Sequence, residues 1–225
     1  MTSITLSQHK DNLSTVYDNI AREFTNSRHY SWTWVTSFFS EYVYSADKDT
    51  KEKLVLDIGC GGGRNIKTYQ NDNVKIIGLD NSKEFIKICL EQNLNVVFSD
   101  MTKLPFTDNH FDNLISIASF HHLTNNEDRI KAIQEMSRVL KPNGTVIMSI
   151  WSKNQPQKTK RTFDTWGDTL VPWKNLEGTI FQRYYYIFKI DEIKSLILNN
   201  GFSIVSHSWE CGNEVFILEN LKFKI

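Results

Sequence analysis

Apolar residues follow two different spacings along this chain. Ahead of residue 47 they recur at helical spacing, which predicts helices over roughly residues 12–24 and 32–43. From residue 53 onward, short apolar runs alternate with amphipathic stretches. The predicted strands are 53–58, 74–79, 95–99, 111–117 and 144–151, and the predicted helices are 63–70, 82–92 and 126–140. This alternation is typical of a parallel sheet with helices on both faces.

The pattern changes after residue 151. Residues 152–180 are polar and predicted to be irregular, and the aromatic-rich segment 181–188 follows them. A helix at 191–200 and strands at 202–209 and 213–219 complete the prediction, with a hairpin turn at 210–213. The predicted helix caps are Ser82, Asn126 and Asp191 at N-termini and Gly201 past a C-terminus. We expect one domain over 1–225, with a helical cap at 1–46 and a substrate-side insertion at 152–190.

Charge and composition limit the function classes. Lysine plus arginine is 26 and aspartate plus glutamate is 26, so no chain-wide basic field attracts nucleic acid and any RNA contact needs a local patch. The first 30 residues are polar, so we predict no signal peptide. The sequence has no apolar run of 18 residues, so we predict no membrane span. Three cysteines without a C-x-x-C pair argue against disulfides and an internal metal site. We expect a cytoplasmic protein, with the nucleus as a possibility.

The strongest chemical signal is a glycine cluster between two acids. The apolar run Leu54–Leu56 ends at Asp57, and the next apolar run, Val74–Leu79, ends at Asp80. The glycines between them are Gly59, Gly61, Gly62 and Gly63. Glycine lets a backbone adopt positive φ and approach a ligand closely. The acids are 80 − 57 = 23 residues apart, close to the spacing that sets a carboxylate on a ribose diol in doubly wound sheets. We therefore predict a nucleoside-containing cofactor at these strand ends.

The acid ahead of the glycines distinguishes between cofactors. A dehydrogenase fingerprint would need a third glycine where Asn65 or Ile66 stands, and Asp57 would repel a pyrophosphate. S-adenosylmethionine carries an ammonium and a sulfonium instead. The pattern D-x-G-x-G-x-G resembles motif I of class I methyltransferases, whose fold is a mostly parallel seven-stranded α/β sheet of Rossmann-like type with an antiparallel C-terminal strand. The residues that the resemblance assigns to S-adenosylmethionine are Tyr17, Arg28, Asp57, Gly59, Gly61, Gly63, Asp80, Asp100, Met101 and Ala118.

Four further segments narrow the resemblance. They are residues 16–24 (VYDNIAREF) with Ser27, Arg28 and Trp32, residues 115–122 (ISIASFHH), residues 171–173 (VPW) and residues 182–188 (QRYYYIF), with Trp151 and Gln155. Together they resemble the tRNA wobble-uridine carboxymethyl methyltransferases, a family that includes the methyltransferase part of the AlkB-like tRNA hydroxylase. The resemblance spans about residues 14–219 and implies esterification of 5-carboxymethyluridine. It also implies a small zinc-binding activator subunit, which would extend the sheet at Asn95–Ser99.

The chemistry of this reaction suggests which side chains act. A carboxylate is already ionised at pH 7, so the site must bind an anion and align it rather than deprotonate it. Arg28 and Arg183 are the candidates for this anion, and either could instead bind the methionine carboxylate of the cofactor, Arg28 more readily. Of the histidines after the fourth strand, we expect His122 rather than His121 to donate to the substrate. Tyr17 is expected to cover the methionine end of the cofactor.

RNA contact has two candidate sources. Trp173 and Tyr184–Tyr186 could stack on a splayed base or fill the core. Residues 151–163 contain Lys153, Lys158, Lys160 and Arg161 and no acid, so this segment could bind phosphate or could be an ordinary solvated loop. Two other functions stay open: a methyltransferase for a quinone, sterol or small carboxylic acid, and a non-catalytic binding subunit.

Overall fold

A computed structural model describes residues 12–28, 30–44, 52–159 and 161–222. The strands are β1 (Lys53–Ile58), β2 (Val74–Asp80), β3 (Val96–Phe98), β4 (Phe111–Ile117), β5 (Leu140–Trp151), β6 (Gly167–Lys174), β7 (Ile180–Ile187), β8 (Phe202–Glu210) and β9 (Asn213–Asn220). The helices are α1 (Leu13–Asn26), α2 (Thr33–Phe38), which continues as a π-helical turn over Phe39–Val43, α3 (Arg64–Tyr69), α4 (Lys83–Glu91), α5 (Asn126–Val139) and α6 (Ile190–Leu198). Short 3₁₀ turns cover Phe120–His122 and Gln157–Thr159.

Seven strands form one twisted sheet in the order β3-β2-β1-β4-β5-β9-β8. The neighbours from β3 to β5 pair in parallel, whereas β9 runs antiparallel to both β5 and β8. The predicted sheet is therefore confirmed, with β9 as its antiparallel strand. The strand order reverses between β1 and β4, and ligands of open α/β sheets bind at the carboxyl ends of the strands beside such a reversal.

The apolar runs that predicted the strands are buried on both faces of the sheet. Val55 packs with Phe39 and Ile76 in one cluster, while its neighbour Leu56 packs with Phe120 and Phe216 in the other. This split follows from the pleat, because successive side chains of a strand point to opposite faces. Helices therefore cover both faces, as central parallel strands require.

Two predicted helix caps are displaced by one or two residues. Ser82 caps α4 as expected, because its hydroxyl accepts from the Phe85 amide at 3.3 Å. The N-cap of α5 is Asn125 and not Asn126, since the Asn125 Oδ1 accepts from the Asp128 amide at 2.8 Å. The predicted cap Asp191 is wrong. Helix α6 begins at Ile190 after an N-cap at Lys189, which leaves Asp191 in the first turn, where an acid favours the helix dipole.

The largest departure from prediction lies within 152–180. Residues 167–174 are not irregular but form strand β6, which pairs with β7 in a separate two-stranded antiparallel sheet. Strand β3 is shorter than the predicted 95–99, and β5 starts at residue 140, ahead of a bend in which Asn143 has φ +61°. The predicted hairpin turn at 210–213 is confirmed, because Cys211 and Gly212 both have positive φ between β8 and β9.

Helix α1 of the predicted N-terminal cap packs onto the sheet domain. The Asp18 carboxylate accepts from the Ser82 hydroxyl at 2.6 Å and from the Glu84 amide at 3.2 Å, which joins α1 to the start of α4. The first eleven residues and most of the charged link at 47–53 lie outside the described residues. Within the described parts, no helix is long and apolar enough to cross a bilayer, and no cluster of three metal-ligating side chains occurs.

Candidate active site

A cavity of about 1230 Å³ opens at the carboxyl ends of β1, β2 and β4. Helix α1, the glycine loop, the histidine turn and the β6–β7 hairpin contribute its walls, and its size is ample for a nucleoside cofactor and part of a substrate. Ten of the predicted site residues line it: Tyr17, Arg28, Gly59, Gly61, Asp80, Asp100, Met101, Ala118, His122 and Arg183. Asp57 and Gly63 do not line it, so direct cofactor contact is not supported at these two positions.

The glycine loop is shaped mainly by the protein itself. A Cβ at Gly59 would lie 2.4 Å from the Ser119 Cβ, and a Cβ at Gly63 would lie 2.3 Å from Leu94 Cδ1. These glycines therefore admit neighbouring side chains, and not only a ligand as the sequence suggested. Gly61 differs, because a Cβ there would meet nothing nearer than Phe85 at 4.0 Å and the residue has φ +52°. Gly61 is thus the glycine that leaves its backbone open to the cavity.

Asp57 lies behind this loop and is 1% exposed. One of its oxygens accepts from the Asn65 side-chain amide at 3.2 Å, and the other has no hydrogen-bond partner. Burial raises the pKa of Asp57 to about 7, partly opposed by the Asn65 hydrogen bond and the charge of Arg64. A carboxyl group with so little compensation is unstable as an anion unless a positive ligand lies nearby.

Asp80 and Asp100 lie where the next two strands end. The Asp80 carboxylate accepts from the Gly61 amide and from the Ser82 amide, both at 2.9 Å, so it ties the glycine loop to the start of α4. Burial raises the pKa of Asp80 to about 6, although these backbone hydrogen bonds lower it in part. Asp100 is exposed and accepts from the Thr102 amide at 2.8 Å. The predicted convergence of acids at neighbouring strand ends is thus present for Asp80 and Asp100.

The chain leaves β4 through a strained residue. Ala118 has φ +53°, a region that a residue with a Cβ adopts at a cost, and its amide is held by the Ser149 carbonyl at 3.0 Å. This geometry turns the backbone into the cavity wall and starts the turn that carries His121 and His122. The acid at the other end of β4, Asp112, instead accepts from the Leu54 amide and from Lys141, so it stabilises the amino end of the sheet.

Both ring nitrogens of His122 are engaged. Nδ1 lies 2.7 Å from the Tyr184 carbonyl oxygen, which can only accept, so Nδ1 carries the proton. Nε2 must then accept from the Tyr17 hydroxyl at 2.9 Å. Burial lowers the pKa of His122 to about 4, with the charge of Arg183 adding to the effect, so the ring is neutral at pH 7. We expected His122 to donate a hydrogen bond to the substrate. In this arrangement it cannot, because its one N–H proton already donates to the Tyr184 carbonyl.

His121 has a structural position. It is fully buried, and its Nδ1 accepts from the Trp151 amide at 2.9 Å. Burial, and then the neighbouring His122, lower its pKa well below the usual range. The preference for His122 over His121 as the cavity histidine is consistent with this geometry, since His122 lines the cavity and His121 does not.

Arg183 is a buried cation without a carboxylate partner among the described residues. It is 3% exposed on β7, and its guanidinium lies 5.2 Å from the Trp173 ring centroid and 5.4 Å from that of Tyr185. Its Nε has no hydrogen-bond partner, and no described carboxylate lies within ion-pair distance of it. A buried arginine without an anion is costly, and such groups cluster at binding sites.

Four more arginines line the same cavity, and one of them, Arg22, is paired with Glu91 at 3.0 Å. The Arg28 guanidinium lies 4.7 Å from the centroid of the Phe24 ring, and Arg161 lies 4.0 Å from that of the Trp151 ring. Arg64, the first residue of α3, donates to the Tyr30 carbonyl at 3.1 Å. The sequence argument did not assign Arg64 or Arg161 to the cavity. Their only signals were a place directly after the glycines for Arg64 and a place in an acid-free basic segment for Arg161.

The aromatic residues suggested for base stacking are mostly structural. Tyr184 and Tyr185 are buried, Tyr185 stacks on Trp151 at 4.1 Å, and Tyr186 packs against Arg129 at 3.5 Å. Of the two alternatives left open for these tyrosines, packing against the protein is the one observed for Tyr184 and Tyr186, while Tyr185 also lines the cavity. Trp173 is half-buried beside Phe24, with ring centroids 5.4 Å apart, and does not line the cavity.

Comparison with known proteins agrees with this geometry. A family model described as a methyltransferase domain matches residues 56–148, which includes the glycine loop, Asp80 and the histidine turn. The tRNA (carboxymethyluridine(34)-5-O)-methyltransferase of Schizosaccharomyces pombe is 32% identical over 226 aligned positions, covering 91% of this chain and 94% of that protein. This chain belongs to that methyltransferase family. Its cofactor is accordingly S-adenosylmethionine.

Other members and more distant structures extend the comparison. A Xenopus tropicalis family member, tRNA (carboxymethyluridine(34)-5-O)-methyltransferase alkbh8, is 28% identical over 92% of this chain, which spans only 40% of that longer protein. A Haloferax volcanii methyltransferase in complex with the Trm112 methyltransferase activator has a TM-score of 0.66 at 15% identity and covers 92% of this chain and 97% of its own. An amino pentose methyltransferase from Micromonospora echinaspora with bound cofactor has a TM-score of 0.65 at 17% identity, covering 89% and 96%. These two structures show the shared fold.

Proposed function

We propose that this protein transfers the methyl group of S-adenosylmethionine to the carboxylate of 5-carboxymethyluridine at the tRNA wobble position. The observation that carries this proposal is Arg183, a buried cation without an anion, in the cavity that also holds the cofactor-side acid Asp80. A carboxylate acceptor pairs with the bidentate fork of such a residue, whereas an amine or a neutral hydroxyl acceptor does not.

The residues present fit the cofactor. Gly61 offers an open backbone, Asp80 suits the ribose hydroxyls, and Asp100 with Met101 suits the adenine at the next strand end. Arg28 suits the methionine carboxylate, because it lies on the α1 side of the cavity. When bound, S-adenosylmethionine supplies an electrophilic methyl group on a sulfonium. The unpartnered oxygen of Asp57 behind the loop favours that positive charge through space.

The remaining task of the protein is alignment. The acceptor is ionised at neutral pH, so no general base is needed, and orienting two reactants can contribute roughly 7–11 kcal/mol. Arg183 fixes the acceptor oxygens from one side. Tyr17, whose hydroxyl donates to His122, lines the cavity beside Arg183 and excludes water there. In this proposal His122 is a positioning residue and not a donor to the substrate.

Partner binding is proposed at the free edge of β3. Only its β2 side is paired, and β3 and the adjoining helix α4 expose Phe98 and Leu90 by 52% and 57%. An open edge strand with exposed apolar side chains can accept a further strand. The candidate partner is a small activator subunit, by analogy with the Haloferax volcanii complex. We expect this subunit to carry zinc. We place the activity in the cytoplasm, with the nucleus as the alternative compartment.

Mass spectrometry of nucleosides tests the proposal. Transfer RNA that carries the free carboxymethyl group should gain a methyl ester when it is incubated with S-adenosylmethionine and this chain, with and without an added activator subunit. Absence of the ester under both conditions, in a preparation that binds S-adenosylmethionine by calorimetry, would overturn the substrate assignment. Turnover that survives neutralisation of Lys153, Lys158 and Arg161 together would instead favour a small-molecule acceptor.

A further inference from the structure

Five arginines line the cavity, and the four besides Arg22, which is paired with Glu91, exceed what one carboxylate acceptor and one cofactor require. S-adenosylmethionine brings one carboxylate and a net positive charge, and the wobble carboxymethyl group brings one further negative charge. No described carboxylate lies within 4.0 Å of the guanidinium of Arg28, Arg64, Arg161 or Arg183. The charges of Arg183 and Arg28 both disfavour the charge on Arg161, and a further anion that enters with the substrate would offset this repulsion.

The proposed function assigns a ligand to neither Arg64 nor Arg161, and Arg64 donates to the Tyr30 carbonyl beside the glycine loop. Arg161 is half-buried at the cavity wall, on the side of the β8–β9 turn, whereas Arg183 is buried. Arg28 follows the end of α1 and Arg64 follows the glycine loop, and both lie on the cofactor side of the cavity. Arg183 is therefore the deeper cation, placed for the carboxylate, and Arg161 is the shallower one.

The guanidinium of Arg161 is held in place by its neighbours. It stacks over Trp151, and its Nη1 donates to the Gln155 Oε1 at 3.2 Å. Gln155 is in turn fixed, because its Nε2 donates to the Ser152 and Gly212 carbonyls, both at 2.7 Å. The Nε and Nη2 groups of Arg161 donate to no described residue. A charged fork that is oriented in advance by an aromatic face and an anchored amide is suited to a specific anion.

We propose that Arg161 binds a backbone phosphate of the target nucleotide and so specifies RNA over a free nucleoside. This inference rests on the proposed function. The segment 151–163 around it contains no acid, which suits a polyanionic backbone. Phosphate contacts fix the register of a nucleic acid on a protein, so Arg161 would set the depth at which the wobble base enters the cavity.

Binding of an anticodon stem-loop, measured by fluorescence anisotropy across a salt series, tests the contact without catalysis. For Arg161→Gln the slope of log affinity against log salt should fall by about 0.7–1, the value for one phosphate contact. Arg161→Lys should keep the slope. The matched control is Lys158→Gln, which removes the same charge from the same segment outside the cavity wall. Equal effects of the two glutamine variants would show a diffuse basic loop and overturn the proposal.

Turnover separates the phosphate contact from the carboxylate contact. On the stem-loop, Arg161→Gln should lower kcat/KM about tenfold, while S-adenosylmethionine affinity and turnover of the free carboxymethyluridine nucleoside stay unchanged. A stem-loop with a neutral methylphosphonate beside the target nucleotide should show the same tenfold lower kcat/KM with the wild-type protein. With Arg161→Gln it should show no further decrease in kcat/KM. An equal loss on the nucleoside would overturn the inference alone, whereas a wild type inactive on both substrates would reject the proposed function itself.

Discussion

At the residue scale, the central feature is Arg183, whose burial lowers the stability of the folded protein and is explained by ligand binding. Its burial without an anion means that the folded protein holds an uncompensated charge, which three aromatic rings offset only in part. A side chain that is unfavourable for folding and faces a cavity is explained by function rather than by packing.

Replacing Arg183 should therefore separate stability from activity. We expect Arg183→Met to keep or raise the Tm of the cofactor-free protein, because it removes a buried charge of similar volume. The same change should lower kcat/KM by roughly 100-fold, within the 2–5 kcal/mol typical of losing one partner of a buried charge pair. Arg183→Lys keeps the charge without the fork and should recover part of this loss. Lower Tm together with normal turnover would show that Arg183 is structural.

A second residue-scale expectation concerns pH. The pKa of Asp80 is raised to about 6, so below that pH the carboxyl is protonated in the free protein. A cationic cofactor that donates ribose hydroxyls prefers the ionised form, so binding releases a proton. Affinity for S-adenosylmethionine should then fall about tenfold for each unit below pH 6 and level off above it.

Calorimetry between pH 5 and 8, in buffers that differ in ionisation enthalpy, measures both the affinity and the released proton. Asp80→Asn should abolish the dependence near pH 6. Asp57, whose pKa is raised to about 7, would account for any rise that continues to higher pH, and Asp57→Asn should remove that part. Proton uptake on binding would contradict the assignment of these two acids.

Local sequence patterns predicted the residues whose chemistry depends on strand ends. Asp80 and Asp100 lie together because parallel strands end at one edge of the sheet, and spacing alone implies this. The role of Asp57 and the tautomer of His122 depend on contacts with Asn65, Tyr17 and the Tyr184 carbonyl, which are far apart in sequence. No local pattern encodes such contacts, so the sequence could place His122 near the site but could not show that its protons were already used.

At the element scale, the regular core was predictable and the substrate-side hairpin was not. Strands β1, β2 and β4 are apolar runs buried on both faces, which is a strong signal. Strand β6 has mixed polarity and contains Pro172, which cannot donate to a ladder and is tolerated because β6 pairs on one side only. Its pairing with β7 is dictated by tertiary structure, so residues 167–174 were predicted to be irregular.

The edge strand β3 gives the element-scale prediction. Phe98→Asp should abolish co-purification with an activator subunit, because it sets a charge on the exposed apolar edge, and it should leave S-adenosylmethionine binding intact. Leu198→Asp is the matched control, since Leu198 is 54% exposed on α6, away from this edge. If both variants retain the subunit equally, the β3 edge is not where it binds.

At the scale of the whole molecule, neutrality hides a strong local asymmetry. The total charge is zero, yet five arginines line one cavity and the segment 151–163 has no acid. Composition alone therefore excluded a basic nucleic-acid-binding protein but not a local RNA site. The fold brings together cations from α1, from the glycine loop, from the segment after β5 and from β7. This cluster of cations gives an ordinary methyltransferase fold a binding site for an anionic acceptor.

The most direct measurement of this account is transfer of an isotope-labelled methyl group from S-adenosylmethionine to two matched anticodon stem-loops. One carries the carboxymethyl group on its wobble uridine, and the other carries the neutral amide of the same shape. The account predicts labelled ester on the carboxylate and no label on the amide, because Arg183 needs an anion. Equal labelling of both stem-loops, or labelling of neither by protein that binds the cofactor, would contradict it.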